Sequence, residues 1–150
     1  MKHLMKNRCI YPLALAFTIV LAATPAFAQQ SGNLRVEFQG PGGHSSGAYG
    51  RVSALHAAAR AVILMQKALP AGSFQITNLT GGNSVNSIAS DGLIELKLNA
   101  TSAAAYKELV AAVTKAAADG AAAENAFRGV KTGDLTAGAP ATIRSKVTPY

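Results

Sequence analysis

The chain has 150 residues, a formal net charge of +7 at pH 7 and a single cysteine. That length suits one hydrophobic core rather than two. The basic excess contains no dense Lys/Arg run of the kind that tracks a phosphate backbone, and one cysteine builds no disulfide framework, so nucleic-acid binding and a disulfide-stapled scaffold are both set aside.

The first 28 residues divide into a basic start (Lys2, Lys6, Arg8), an apolar run from Ile10 to Ala23, and the small-residue ending Ala26-Phe27-Ala28 before Gln29. This is the pattern of a cleavable secretory signal peptide. The apolar run falls short of the ~20 residues a spanning helix needs, so no stable membrane span is expected. Export is expected instead, to the periplasm of a Gram-negative host or to the medium. Cys9 leaves with the leader, which removes any cysteine nucleophile or Cys-containing zinc site. Without Lys2, Lys6 and Arg8, the 14 basic residues fall to 11 against 7 acidic ones.

From Leu34 to Gln39 apolar and polar residues alternate, which predicts a half-buried strand with Leu34, Val36 and Phe38 inward. A loop, Gly40 to Gly47, follows. Ser53 then caps a helix whose stripe is Leu55, Ala58, Val62, Met65 and Leu69, with His56, Arg60 and Lys67 opposite; Pro70-Ala71-Gly72 ends it. A second strand is expected from Phe74 to Thr77, then the polar loop Thr80 to Ser87, then a third strand from Leu93 to Asn99. Thr101 or Ser102 caps a second helix striped by Tyr106, Leu109, Val110, Val113 and Ala117. Gly120 weakens that helix, leaving two outcomes for the alanine-rich stretch to Phe127, continuation or fraying. The fourth strand has two candidates, Ala141 to Val147 and the weaker Leu135 to Ala139. The order β-α-β-β-α-β predicts an α+β, ferredoxin-like split βαβ fold, a four-stranded antiparallel sheet with two helices on one face. The domain spans residues 33–150, its last strand unassigned after residue 128.

The mature segment contains His44, His56, three aspartates and four glutamates. No His-x-Asp or paired-glutamate motif occurs, so a zinc hydrolase site is not indicated. The loop Gly40-Pro41-Gly42-Gly43-His44-Ser45 has two readings from spacing: a nest of backbone N–H groups with His44 as a donor, or a turn with an exposed histidine. Asn83 and Asn86 either close turns or offer an amide to a ligand. His56 reads as a solvated surface residue.

The two loops together carry a resemblance. Gly40-Pro41-Gly42-Gly43-His44-Ser45, the segment Ala54-Leu55-His56-Ala57 and then Gly81-Gly82-Asn83-Ser84-Val85-Asn86-Ser87-Ile88 resemble the dimerisation or lid domain of zinc exopeptidases, the family of glutamate carboxypeptidases, aminoacylases and desuccinylases. The match runs from about Arg35 to Arg128. The resemblance implies a ferredoxin-like lid that pairs with a second lid, so a homodimer or a zinc exopeptidase subunit is the implied partner. It implies that His44 acts in trans as a donor to the oxyanion, that Asn86 and Gly82 contact substrate, and that Gly42 and Gly43 shape the loop. Zinc would belong to a catalytic domain whose ligands lie outside this pattern, so no metal ligand is expected here and no intrinsic activity of the chain alone. Two readings follow: a stand-alone, exported, non-catalytic lid, or a fragment or split subunit of a zinc metallo-exopeptidase.

Overall fold

The computed structural model describes residues 29–150; the expected leader lies outside the described residues. Four long strands form one antiparallel sheet: β1 (Gln30–Gln39), β3 (Phe74–Thr80), β5 (Asp91–Ala100) and β8 (Arg144–Pro149), in the spatial order β3-β5-β1-β8. Two helices, α2 (Ala54–Ala68) and α3 (Ala103–Phe127), cover one face. The short elements are β2 (Gly43–His44), the single turn α1 (Ser45–Ala48), β4 (Ser87–Ile88) and a hairpin of β6 (Leu135–Thr136) with β7 (Ala139–Pro140). The predicted ferredoxin-like plan is the one observed.

Alternation sets the central strands. Leu34, Val36 and Phe38 of β1 and Ile94, Leu96 and Leu98 of β5 face the helices and are buried, while Arg35 and Glu37 pair with Glu95 and Leu93 on the open face. A one-residue slip would turn every one of these side chains to the wrong side, so the register is strongly specified. β3 runs three residues beyond the predicted Thr77 because a bulge between Ile76 and Asn78 resets its pairing with β5.

One correction concerns the helices. The buried stripe of α2 is Ala54, Ala57, Ala58, Ala61 and Met65, with Leu55 and Val62 only half-buried at its margins. The reason lies on α3, which continues unbroken through Gly120 to Phe127. A Cβ on Gly120 would lie 2.8 Å from the Ala57 carbonyl oxygen and 2.8 Å from the Ala61 Cβ. The glycine therefore marks where the helices approach most tightly, and α2 meets it with methyl groups rather than leucines.

The last strand is β8, in continuation of the Ala141-Ile143-Ser145-Val147 pattern; the Leu135 candidate contributes only a two-residue hairpin arm. Asn125 near the end of α3 anchors the approach to β8, its amide donating to the Ile143 carbonyl (3.2 Å) and accepting from the Ile143 N–H (2.7 Å). Among the described residues no helix is long and apolar enough to cross a membrane.

Candidate functional site

The end of β1 and the loop before β5 are brought together by the sheet itself, since Gln39 pairs with Asp91 and the Gly40 N–H donates to the Ser90 carbonyl at 2.8 Å. Beyond them the two loops form their own small ladder: Gly43 pairs with Ile88 and His44 with Ser87, and the Ser45 N–H donates to the Asn86 carbonyl at 2.8 Å. The chain reaches this ladder through a turn that only glycine suits. Gly42 has φ +63° and Gly43 φ +140°, and a Cβ would fall 2.8 Å from the Ser90 Cβ at the first and 2.7 Å from the Ala48 Cβ at the second. An Arg51 Nη1 donates to the Gly42 carbonyl at 3.3 Å and braces the turn.

His44 and Asn86, 42 positions apart, meet on this ladder: His44 Nε2 and Asn86 Nδ2 are 3.0 Å apart, and both side chains are exposed. The other ring nitrogen fixes the protonation pattern. His44 caps α1, and its Nδ1 accepts from the Ser46 backbone N–H at 3.2 Å with the Ser46 Oγ at 2.7 Å. A backbone N–H can only donate, so Nδ1 holds the lone pair and the neutral ring carries its proton on Nε2. The Asn86 Oδ1 accepts from the Ser84 hydroxyl while its Nδ2 faces the ring; a proton on Nε2 requires the amide turned over, with Oδ1 toward the ring. The reading of Gly40 to Gly47 as a nest loses two of its donors, because the Ser45 and Ser46 N–H groups are used inside the loops. Asn83 closes a turn, accepting from the Ser87 Oγ at 3.0 Å.

Gly82 stands apart from the His44 ring. It lines an adjacent groove of about 350 Å³ with Ser53, His56, Gly81, Ser84 and Ser87, between the start of α2 and the loop that carries Asn86. Val85 at the tip of that loop and Tyr49 after α1 are exposed apolar side chains. His56 is mostly solvated, as predicted, yet its Nδ1 lies 3.7 Å from a Glu124 carboxylate oxygen. Ser46 and Ser84, which orient the two site residues, carry no sequence signal beyond lying within two positions of them. Among the described residues no group of three or more His, Cys, Asp or Glu side chains is placed to hold a metal, so the residues present do not fit zinc.

A family model described as "Peptidase dimerisation domain" matches residues 29–125. Among solved structures, the aminobenzoyl-glutamate utilization protein of Klebsiella pneumoniae superposes with a TM-score of 0.63 at 17% identity, over 81% of this chain and 28% of that one. An aminopeptidase of Bacillus cereus gives 0.59 and a tripeptidase of Staphylococcus aureus 0.58, each at 17% identity over 81% of this chain and 29% of theirs. The chain thus spans less than a third of the length of these proteins. Comparison with curated proteins finds no match.

Proposed function

The chain belongs to the family of peptidase dimerisation domains, and on that premise we propose that it is an exported association module whose two copies join and present His44 and Asn86 to a substrate carbonyl held by a zinc exopeptidase unit. The meeting of His44 with Asn86 across the β2–β4 ladder carries this reading. A proton-bearing ring nitrogen and a carboxamide at one exposed point are donors that suit an amide oxygen acquiring negative charge. Without substrate the two groups satisfy each other. With substrate, the carbonyl oxygen takes the amide's place at Nε2, Asn86 turns to the rest of the ligand, and Ser46 keeps the ring aimed. Zinc and the water it activates belong to the exopeptidase unit; this chain supplies a hydrogen-bond donor and an orientation.

The edge that joins the copies is β3. Its sequence, Phe74 to Thr80, contains no charge, and exposed Leu79 on it and Ile63 on α2 offer apolar surface on the covering layer and the edge. The opposite edge, β8, carries Arg144, Lys146 and Pro149, the residue types that blunt strand pairing. The test is the mass of the mature chain by light scattering at micromolar concentration: a dimer is expected, and a strictly monomeric mass across that range rejects self-association. The exported protein should begin at Gln29 by N-terminal sequencing.

The coverage of less than a third of each structural neighbour favours a second reading, a split or partial zinc exopeptidase. It predicts flanking coding sequence with a His-x-Asp, a Glu-Glu pair and a downstream histidine; flanks without them reject it.

A further inference from the structure

The helical layer holds a second polar cluster, joined to His44 and Asn86 by no hydrogen bond. The Glu124 carboxylate on α3 is fully buried, and its oxygens accept from the Arg60 Nε (3.0 Å), the Arg128 Nε (3.3 Å) and the Ser53 backbone N–H (3.2 Å). Each arginine therefore spends its Nε on Glu124, and among the described residues neither uses its Nη groups in a hydrogen bond. Both guanidinium carbons stand over the ring of Phe127, at 4.9 Å for Arg60 and 5.0 Å for Arg128, and the residue is 66% exposed. Two permanent cations face one carboxylate, which leaves a positive excess at a partly open, apolar-floored patch.

We propose that the Nη ends of Arg60 and Arg128, held by Glu124 beside the exposed Phe127 ring, form a binding site for a small oxyanion, a carboxylate or phosphate group carried on an apolar body. The physical case rests on preorganisation. Guanidinium forks recognise planar oxyanions through paired N–H donors, and here the arginine side chains are already fixed by a buried partner, so little rotamer freedom remains to be lost on binding. Glu124 takes the Nε of each arginine, and no hydrogen bond from a described residue occupies their Nη donors. Phe127, which has a large apolar area in water, supplies contact for the body of the ligand. His56, whose Nδ1 lies 3.7 Å from Glu124, is the other titratable group against the cluster. The site stands independently of dimerisation and of any role for His44.

The purified chain is titrated at constant ionic strength with inorganic phosphate, acetate, benzoate and the neutral analogue benzamide, following the arginine side-chain nitrogen and Phe127 ring resonances. Saturable shifts of Arg60, Arg128 and Phe127 are expected with phosphate and benzoate, with benzoate stronger than acetate and no arginine response to benzamide. The relative strength of phosphate and benzoate identifies which oxyanion the fork prefers. Arg128→Gln should weaken benzoate roughly tenfold or more, the scale of a lost charge-assisted pair. Absence of saturation at these resonances at tens of millimolar, or an equal response to benzamide, overturns the site. Should Arg128→Gln fail to fold, the titration of the unsubstituted protein decides alone.

Discussion

At the residue scale, the His44 ring is defined by its own backbone. The Ser46 N–H and Oγ occupy Nδ1, so long-range proton–nitrogen spectra of the neutral ring should show the Nε2–H tautomer; a Nδ1–H tautomer would remove the donor on which the proposed role depends. In a complex that assembles an active exopeptidase, His44→Ala should lower kcat by roughly 10²–10³, as loss of one oxyanion donor does elsewhere. The exposed ring carries little packing, so the same substitution should leave the urea midpoint of the free chain almost unchanged. Acid stability draws on a different residue. On the open sheet face the Arg35 hydrogen bond (2.8 Å), with help from Asn78, holds the Glu95 carboxyl below its ordinary value near 4.5. A depressed folded pKa adds stability above the ordinary value and loses it as pH falls through the depressed one. Glu95→Gln should therefore flatten the acid limb of stability below about pH 4.5, measured by urea unfolding across pH, and an unchanged limb would assign acid sensitivity to other carboxylates.

At the element scale, α2 and α3 show how a helix face is chosen by its neighbour. The period of apolar residues pointed correctly to two amphipathic helices; Ser53 caps the first as expected, and Ser102, one of two candidates with Thr101, caps the second. The period did not say that alanines rather than leucines form the contact, because that depends on how near the other axis comes. Gly120 records the distance. Gly120→Ala improves intrinsic helix propensity by about 1 kcal/mol, yet its methyl would meet the Ala57 carbonyl and Ala61 at 2.8 Å. Net destabilisation is expected, of about 1–3 kcal/mol as for other overpacked cores, and a raised urea midpoint would show that the helices separate at little cost. Glu124 closes the same interface. Removing both Arg60 and Arg128 strands its carboxylate in the interior, which should cost about 3–5 kcal/mol, whereas Lys115→Ala, a surface partner of Asp119, should cost under about 1 kcal/mol.

At the scale of the whole molecule, the sheet has one face under helices and two edges of unlike character. The uncharged β3 edge is the one expected to join copies, so Leu79→Lys with Ile63→Lys should convert a dimer to a monomer in light scattering while Lys146→Ala on the β8 edge leaves the mass unchanged. A dimer that survives both introduced lysines would move the interface away from β3.

Local pattern decided the elements of this protein. Strict alternation in β1 and β5 specifies which face each strand buries, and the helical period marks α2 and α3 as amphipathic helices, because side-chain direction repeats every two or 3.6 residues. The glycines around His44, the two capping serines and the likeness of both loops to a lid domain were readable for the same reason: each is a short run of neighbours. Contacts between distant residues were not. The His44–Asn86 pair depends on the β1–β5 register, the Glu124 cluster joins residues up to 71 positions apart, and the end of the chain becomes a strand only where Asn125 clamps Ile143. Such contacts have no period to read. They exist because the sheet order brings β1 against β5 and β8 and because α2 and α3 pack together over one face, arrangements driven by burial of apolar surface from the whole chain.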